Sequence, residues 1–184
     1  MRTTTLLAVF CTAVLISCEP VSEPELNVPD PSFAVDPVVL SAFGSGNFIR
    51  PWGPSPGGWR TFSLHARRSA EGTVDGQFQF NDHDVDIPNY DYDKVRGIAD
   101  VTCMSTDGNA VWIGGYFTKH TNPENIGRAA RLRVMDNGEG ANASPDVISY
   151  IYPGGDAQTF CNNMPELTWI EVESGNIVVK GLVD

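Results

Sequence analysis

Positive charge is scarce in this chain. Its 184 residues carry 12 Lys and Arg against 23 Asp and Glu, giving a formal net charge of -11. That balance excludes a phosphate-backbone partner, because nucleic-acid binding needs a basic surface. Catalytic fingerprints are missing as well. The three histidines, His65, His83 and His120, have no nucleophile or metal ligand at motif spacing. No G-x-S-x-G, P-loop, H-E-x-x-H or dinucleotide fingerprint occurs. No catalytic residue and no cofactor is therefore assigned. A hydrolase built on dispersed carboxylates stays open, since acidic residues are plentiful. Long apolar runs are also lacking. The run from Thr5 to Ile16 is shorter than the roughly 20 residues that span a bilayer.

That short run is informative by its flanks. A basic start at Arg2, an apolar middle and small residues at the end are the pattern of a secretory signal. A buried N-terminal helix is the alternative, but no cap or polar face accompanies the run. It stops at Leu15-Ile16-Ser17-Cys18, which resembles the lipobox of bacterial lipoproteins. The resemblance implies that Cys18 receives a diacylglyceryl group, that residues 1–17 are removed, and that the new amino group is acylated. Each buried methylene contributes roughly 0.8 kcal/mol, and stable anchoring needs at least two chains, so three suffice. A conventionally cleaved secreted protein is the competing reading. Residues 18–40 alternate proline with acid: Pro20, Pro24, Pro29, Pro31 and Pro37 among Glu19, Glu23, Glu25, Asp30 and Asp36. Such a stretch buries too little apolar area to order itself and reads as an extended tether. Glu19 directly after Cys18 resembles lipoproteins not retained at the inner membrane, which implies the outer membrane.

Four cysteines are present. Cys11 leaves with the signal and Cys18 carries lipid. Cys103 and Cys161 remain as an even pair in an exported chain, where disulfides persist. A Cys103–Cys161 bond is expected, against the alternative of two separate buried thiols. No Cys/His spacing suggests zinc.

From about Ser41 the pattern has period two. Phe62, Leu64 and Ala66 share one face of a strand, and Gln77-Phe78-Gln79-Phe80 repeats the alternation. Val95, Gly97, Ala99, Val101 and Cys103 are expected on one face of the next. Arg131-Leu132-Arg133-Val134 alternates again. Apolar runs follow at Val111–Phe117, Val147–Tyr152, Leu167–Val172 and Ile177–Val179, with Gly and Asn-Gly breakers between them. Asp75-Gly76 falls within a strand and suggests a bulge. Asp136-Asn137-Gly138 suggests a turn with positive φ at glycine. No segment reads as a helix. The expectation is a single all-β domain over residues 41–184, an antiparallel β-sandwich or closed β-barrel of about 8–9 short strands.

An ordered set of short motifs supports that expectation. It runs from Gly44-Ser45-Gly46 through Arg60-Thr61-Phe62-Ser63, Gly72-Thr73-Val74-Asp75-Gly76-Gln77-Phe78 and Val101-Thr102-Cys103 to Gly108-Asn109-Ala110 and Ile113-Gly114-Gly115. Val134 to Gly140, Pro145 to Ser149 and Gly175-Asn176-Ile177 complete it. The set resembles a group of uncharacterised exported bacterial β-domains, and the resemblance implies fold and export. Asn47 and Arg96 stand where that group is expected to have histidine. Any role of those histidines in relatives would not carry over.

Three further features bear on chemistry. Asp82, Asp84 and Asp86 have the one-three-five spacing of a calcium loop, with Asp93 at the twelfth place. Ile87 replaces the required glycine, so a solvated hairpin tip is the stronger reading. Trp52 and Trp59 bracket a Pro/Gly loop and could stack on a sugar; the alternative is that they plug the end of the core. Trp112, Gly114 and Tyr116 share a face, as do Ile148, Tyr150 and Tyr152; either could line a groove or pack a sheet. The resulting expectation is a lipid-anchored cell-envelope β-domain with a binding or structural role and an unassigned protein or glycan partner. A carbohydrate-binding module is the first alternative and a hydrolase the second.

Overall fold

Period-two alternation resolves into ten strands among the described residues. The computed structural model describes residues 37–51, 57–83, 95–140 and 142–181. The strands are β1 (Val38–Ile49), β2 (Trp59–Ser69), β3 (Val74–His83), β4 (Arg96–Asp107), β5 (Ala110–His120), β6 (Ala129–Met135), β7 (Val147–Ser149), β8 (Tyr152–Pro153), β9 (Trp169–Glu171) and β10 (Ser174–Lys180). All pairings are antiparallel. The order is β10-β1-β2-β3-β4-β5-β6-β7-β9, with β8 paired to β6. Strand β1 begins at Val38, inside the stretch that composition assigns to the spacer, and Leu40 is fully buried.

One sheet encloses one core. Leu40, Ala42 and Phe48 of β1, Phe62 and Leu64 of β2, Phe78 and Phe80 of β3, and Ile177 and Val179 of β10 belong to a cluster that also takes in Ile148 and Ile170 from the other end of the path. A sheet whose two ends share an interior must curl, and this one forms a half-barrel. Burying each of the Leu, Ile, Val and Phe side chains is worth about 1.5–3 kcal/mol.

The open edge is stitched by carboxylates. Asp146 Oδ2 accepts the Ile177 N–H at 2.7 Å, and Asp136 Oδ2 accepts the Val179 N–H at 2.9 Å. Asp146 Oδ1 also takes the Asn137 N–H at 2.9 Å, while Asp136 Oδ1 takes that of Gly138 at 2.7 Å. The Asp136-Asn137-Gly138 turn, with Gly138 at φ +86°, thus holds both acids toward β10.

Strands β4 to β6 are covered on both faces, which explains the unbroken apolar run in β5. Val111, Ile113 and Phe117 face the interior, whereas Ala110 and Trp112 join an outer cluster with Ala157, Phe160 and Cys161. The outer cover is a helix the sequence reading missed, α1 (Ala157–Asn163), capped by Asp156, whose Oδ1 accepts the Thr159 N–H at 2.7 Å. A register shift between Val101 and Cys103 corrects the expected face of the latter. One extra residue turns Cys103 outward and sends Met104 in its place to the interior. Cys103 therefore reaches Cys161 on α1, and the two form a disulfide with Cα atoms 6.1 Å apart. Gly76 is not a bulge. It pairs in register with Ala66, and a Cβ there would stand 2.1 Å from the His65 carbonyl oxygen.

Candidate functional site

Three neighbouring strands end their interior stripes on a charge. Arg50 follows the interior residue Phe48, Arg60 precedes Phe62, and Asp82 follows Phe80, each two residues on and so on the same face. All three are at most 3% exposed, which makes them part of the interior rather than a rim. Arg60 and Asp82 are direct cross-strand partners. Arg60 Nε donates to Asp82 Oδ1 in a short hydrogen bond, Arg60 Nη2 donates to Oδ2 at 2.7 Å, and Arg50 Nη1 donates to the same Oδ2 at 3.2 Å. The Arg60 guanidinium lies between two rings, 4.3 Å from the Phe80 centroid and 4.2 Å from that of Tyr150. Its Nη2 also donates to the Tyr150 hydroxyl at 3.0 Å. A planar, weakly hydrated cation suits such stacking, and an ammonium would not reproduce it.

These groups floor a cavity of about 200 Å³ at one end of the half-barrel. Its walls include Val95, Phe117, Ile151 and Pro153, with His120 and Asn125 at the side. Gly97 makes room for them, since a Cβ there would stand 2.4 Å from the Phe80 ring and 2.9 Å from that of Phe117. His120 packs edge-on against Phe117, with ring centroids 5.0 Å apart. Its Nδ1 accepts the Asn122 N–H at 2.9 Å. A short 3-10 turn, Pro123–Asn125, is capped by Asn122 and carries Asn125 to within 3.3 Å of His120 Nε2. Burial lowers the pKa of His120 from its ordinary value, and the charge of Arg60 acts in the same direction. The charge of Asp82 opposes this without reversing it.

The cavity holds limited chemistry. Among the described residues that line it there is no Ser, Thr or Cys, and Asp82 is the single carboxylate. Among the described residues no three His, Cys, Asp or Glu side chains gather as a metal site. Asp82, the first of the calcium-spaced acids, turns inward to two arginines; Asp84 and Asp86 lie outside the described residues, as do Trp52 and Cys18. Trp59 is exposed and paired across the sheet with exposed Ile49. The two aromatic stripes divide. Trp112 packs beneath α1 and stacks with Arg133 at 4.6 Å, while Trp169 covers the other face of that guanidinium at 3.8 Å. Tyr116 is exposed, and Tyr150 belongs to the cavity. The sequence reading missed the cavity, although its signal was present: Arg60 and Asp82 carry the parity of the apolar face.

Fold and cavity together define an antiparallel half-barrel with a half-open, arginine-floored pocket. No family model, no curated protein and no solved structure matches the chain.

Proposed function

We propose that this chain is a lipid-anchored protein of the bacterial cell envelope, held at the outer membrane through Cys18, whose β-domain binds a ligand and performs no catalysis. The observation that carries the binding role is the pocket itself. Its guanidinium is stacked and oriented, and its one carboxylate is engaged by two arginines. A fixed donor with no nucleophile or second acid beside it among the described residues suits recognition more than turnover. The anchor rests on Leu15-Ile16-Ser17-Cys18 at the end of a signal-like run and on the acidic, proline-rich spacer after it. Cys18→Ala is expected to move the protein from the membrane to the soluble fraction of fractionated cells. A variant that stays wholly with membranes would sink the anchoring claim.

One observation favours a second reading, a glycan-binding surface. Trp59 is 44% exposed beside Ile49, also exposed, at the end of the domain. Trp59→Ala should abolish retention on an immobilised glycan that holds the native chain; unchanged retention would dismiss Trp59 as the platform.

A further inference from the structure

The hydrogen-bonding polarity of the pocket specifies its ligand. His120 Nδ1 accepts the Asn122 N–H, so the ring is neutral and its one proton sits on Nε2. Asn125 is oriented independently, because Arg128 Nη1 donates to its Oδ1 at 2.9 Å. The atom that faces His120 Nε2 at 3.3 Å is therefore Asn125 Nδ2, which is also a donor. Two donors that confront one another cannot bond; each needs an acceptor. Arg60 lines the same cavity. Its Nη1 is buried and finds no hydrogen-bond acceptor among the described residues, although Nε and Nη2 are both engaged. Leaving such a donor unsatisfied is costly, more so on a charged group. The polar lining of the pocket thus presents unsatisfied donors from three elements: β2, the end of β5, and the turn that follows it.

We propose that the pocket binds a small organic monocarboxylate. One carboxylate oxygen bridges His120 Nε2–H and Asn125 Nδ2–H, the other accepts from Arg60 Nη1–H, and the apolar body lies against Phe117 and Ile151. Size supports this occupant. A cavity of about 150 Å³ accommodates a benzene ring, and this one is about 200 Å³. The apolar walls favour a carboxylate with a hydrocarbon body over a hydrated inorganic anion. No covalent step is involved. The inference deepens the binding role proposed above and rests on it.

Sodium benzoate, benzyl alcohol and sodium phosphate serve as probes for the full-length chain in detergent, with calorimetry and imidazole nitrogen NMR as readouts. Benzoate should bind and shift the Nε2 resonance of His120. Benzyl alcohol, which keeps the ring and loses the charge, should bind at least about tenfold more weakly, roughly the loss of one hydrogen bond to a charged group. Asn125→Asp replaces a donor with an acceptor while keeping a partner for Arg128. It should weaken benzoate at least as much, without lowering the melting temperature. Equal affinity for benzoate and benzyl alcohol, tighter binding of phosphate, or full affinity in Asn125→Asp would each overturn the carboxylate assignment. A pocket that takes a neutral probe and refuses benzoate would overturn it while leaving the binding role intact. A pocket that takes none of the probes, even at millimolar concentration, would overturn the carboxylate assignment as well.

Discussion

Arg60 and Asp82 face each other across β2 and β3 at the interior end of two apolar stripes, and Asp82 accepts from Arg50 as well. The acid is therefore the hub of the cluster. Removing Asp82 takes the carboxylate from two buried guanidiniums at once, whereas removing Arg60 leaves Asp82 its bond to Arg50. Breaking a buried pair from one side typically costs about 3–5 kcal/mol. Asp82→Ala should lose stability in that range, and Arg60→Met, which retains a hydrocarbon stem between Phe80 and Tyr150, should lose less. Urea denaturation of both variants decides the matter. The reverse order would show that Arg60 is the hub.

The Cys103–Cys161 bond spans 58 residues of sequence. Chain-entropy reasoning gives about 4 kcal/mol for a loop of that size. A Cys103→Ala/Cys161→Ala variant should unfold at lower urea concentration by up to that amount. Deleting Thr102 is a sharper test of the register. Cys103 then follows Val101 directly, and simple alternation keeps it on the outer face toward α1 while Met104 stays inside. The disulfide should still form, as read by thiol labelling of protein purified without reductant. Free thiols in the deletion variant would contradict Thr102 as the extra residue.

His120 links stability to pH with a definite sign. Its pKa in the folded protein lies below the ordinary histidine value, first because of burial. The unfolded chain therefore takes up the proton first as pH falls. Stability is full above the ordinary value, near pH 6.5, and is lost as pH drops through it toward the lower folded value. Urea midpoints should fall across that window, and His120→Gln should flatten this component. A native midpoint that rises on acidification through the window would refute the assignment.

Asp136 and Asp146 hold β10 through the main-chain N–H groups of Val179 and Ile177. A hydrogen bond to a charged group contributes about 1.5–3 kcal/mol. Each acid also takes a second N–H, that of Asn137 or Gly138, and Asp146 is the more buried of the two, so Asp146→Ala should destabilise more than Asp136→Ala. Amide exchange at Ile177 and Val179 should accelerate selectively. Unchanged protection at both positions would show that the acids do not secure the edge.

Much of the fold was legible because alternation is a local signal. The strands at Arg60–Arg67, Gln77–Phe80 and Arg131–Val134 form where period two marks them. What escaped depended on contacts between distant residues. Helix α1 has only seven residues, although Ala157, Phe160 and Cys161 carry helical spacing behind the Asp156 cap. One bulged residue reversed the face of Cys103, and nothing in its neighbours' composition announces that reversal. The pocket was half visible. Arg60 and Asp82 continue the parity of buried stripes, and two opposite charges at matched ends of adjacent strands are a pattern worth reading as a buried pair. His120 and Asn125 were not visible, because a turn after β5 brings them together and only the register of β5 places that turn beside Arg60.

Under the lipid anchor proposed above, the carboxylate stitch along β10 has a bearing on life at a crowded surface. A protein tethered by lipid is confined to two dimensions, where neighbours meet far more often than in free solution. An unpaired strand edge there would invite chain-to-chain ladders. On β10 the main-chain donors of residues 177 and 179 are already occupied by acids of the same molecule. Two aspartates thus act as a built-in guard against lateral polymerisation, and a neighbour's strand would have to displace charged side chains before it could pair.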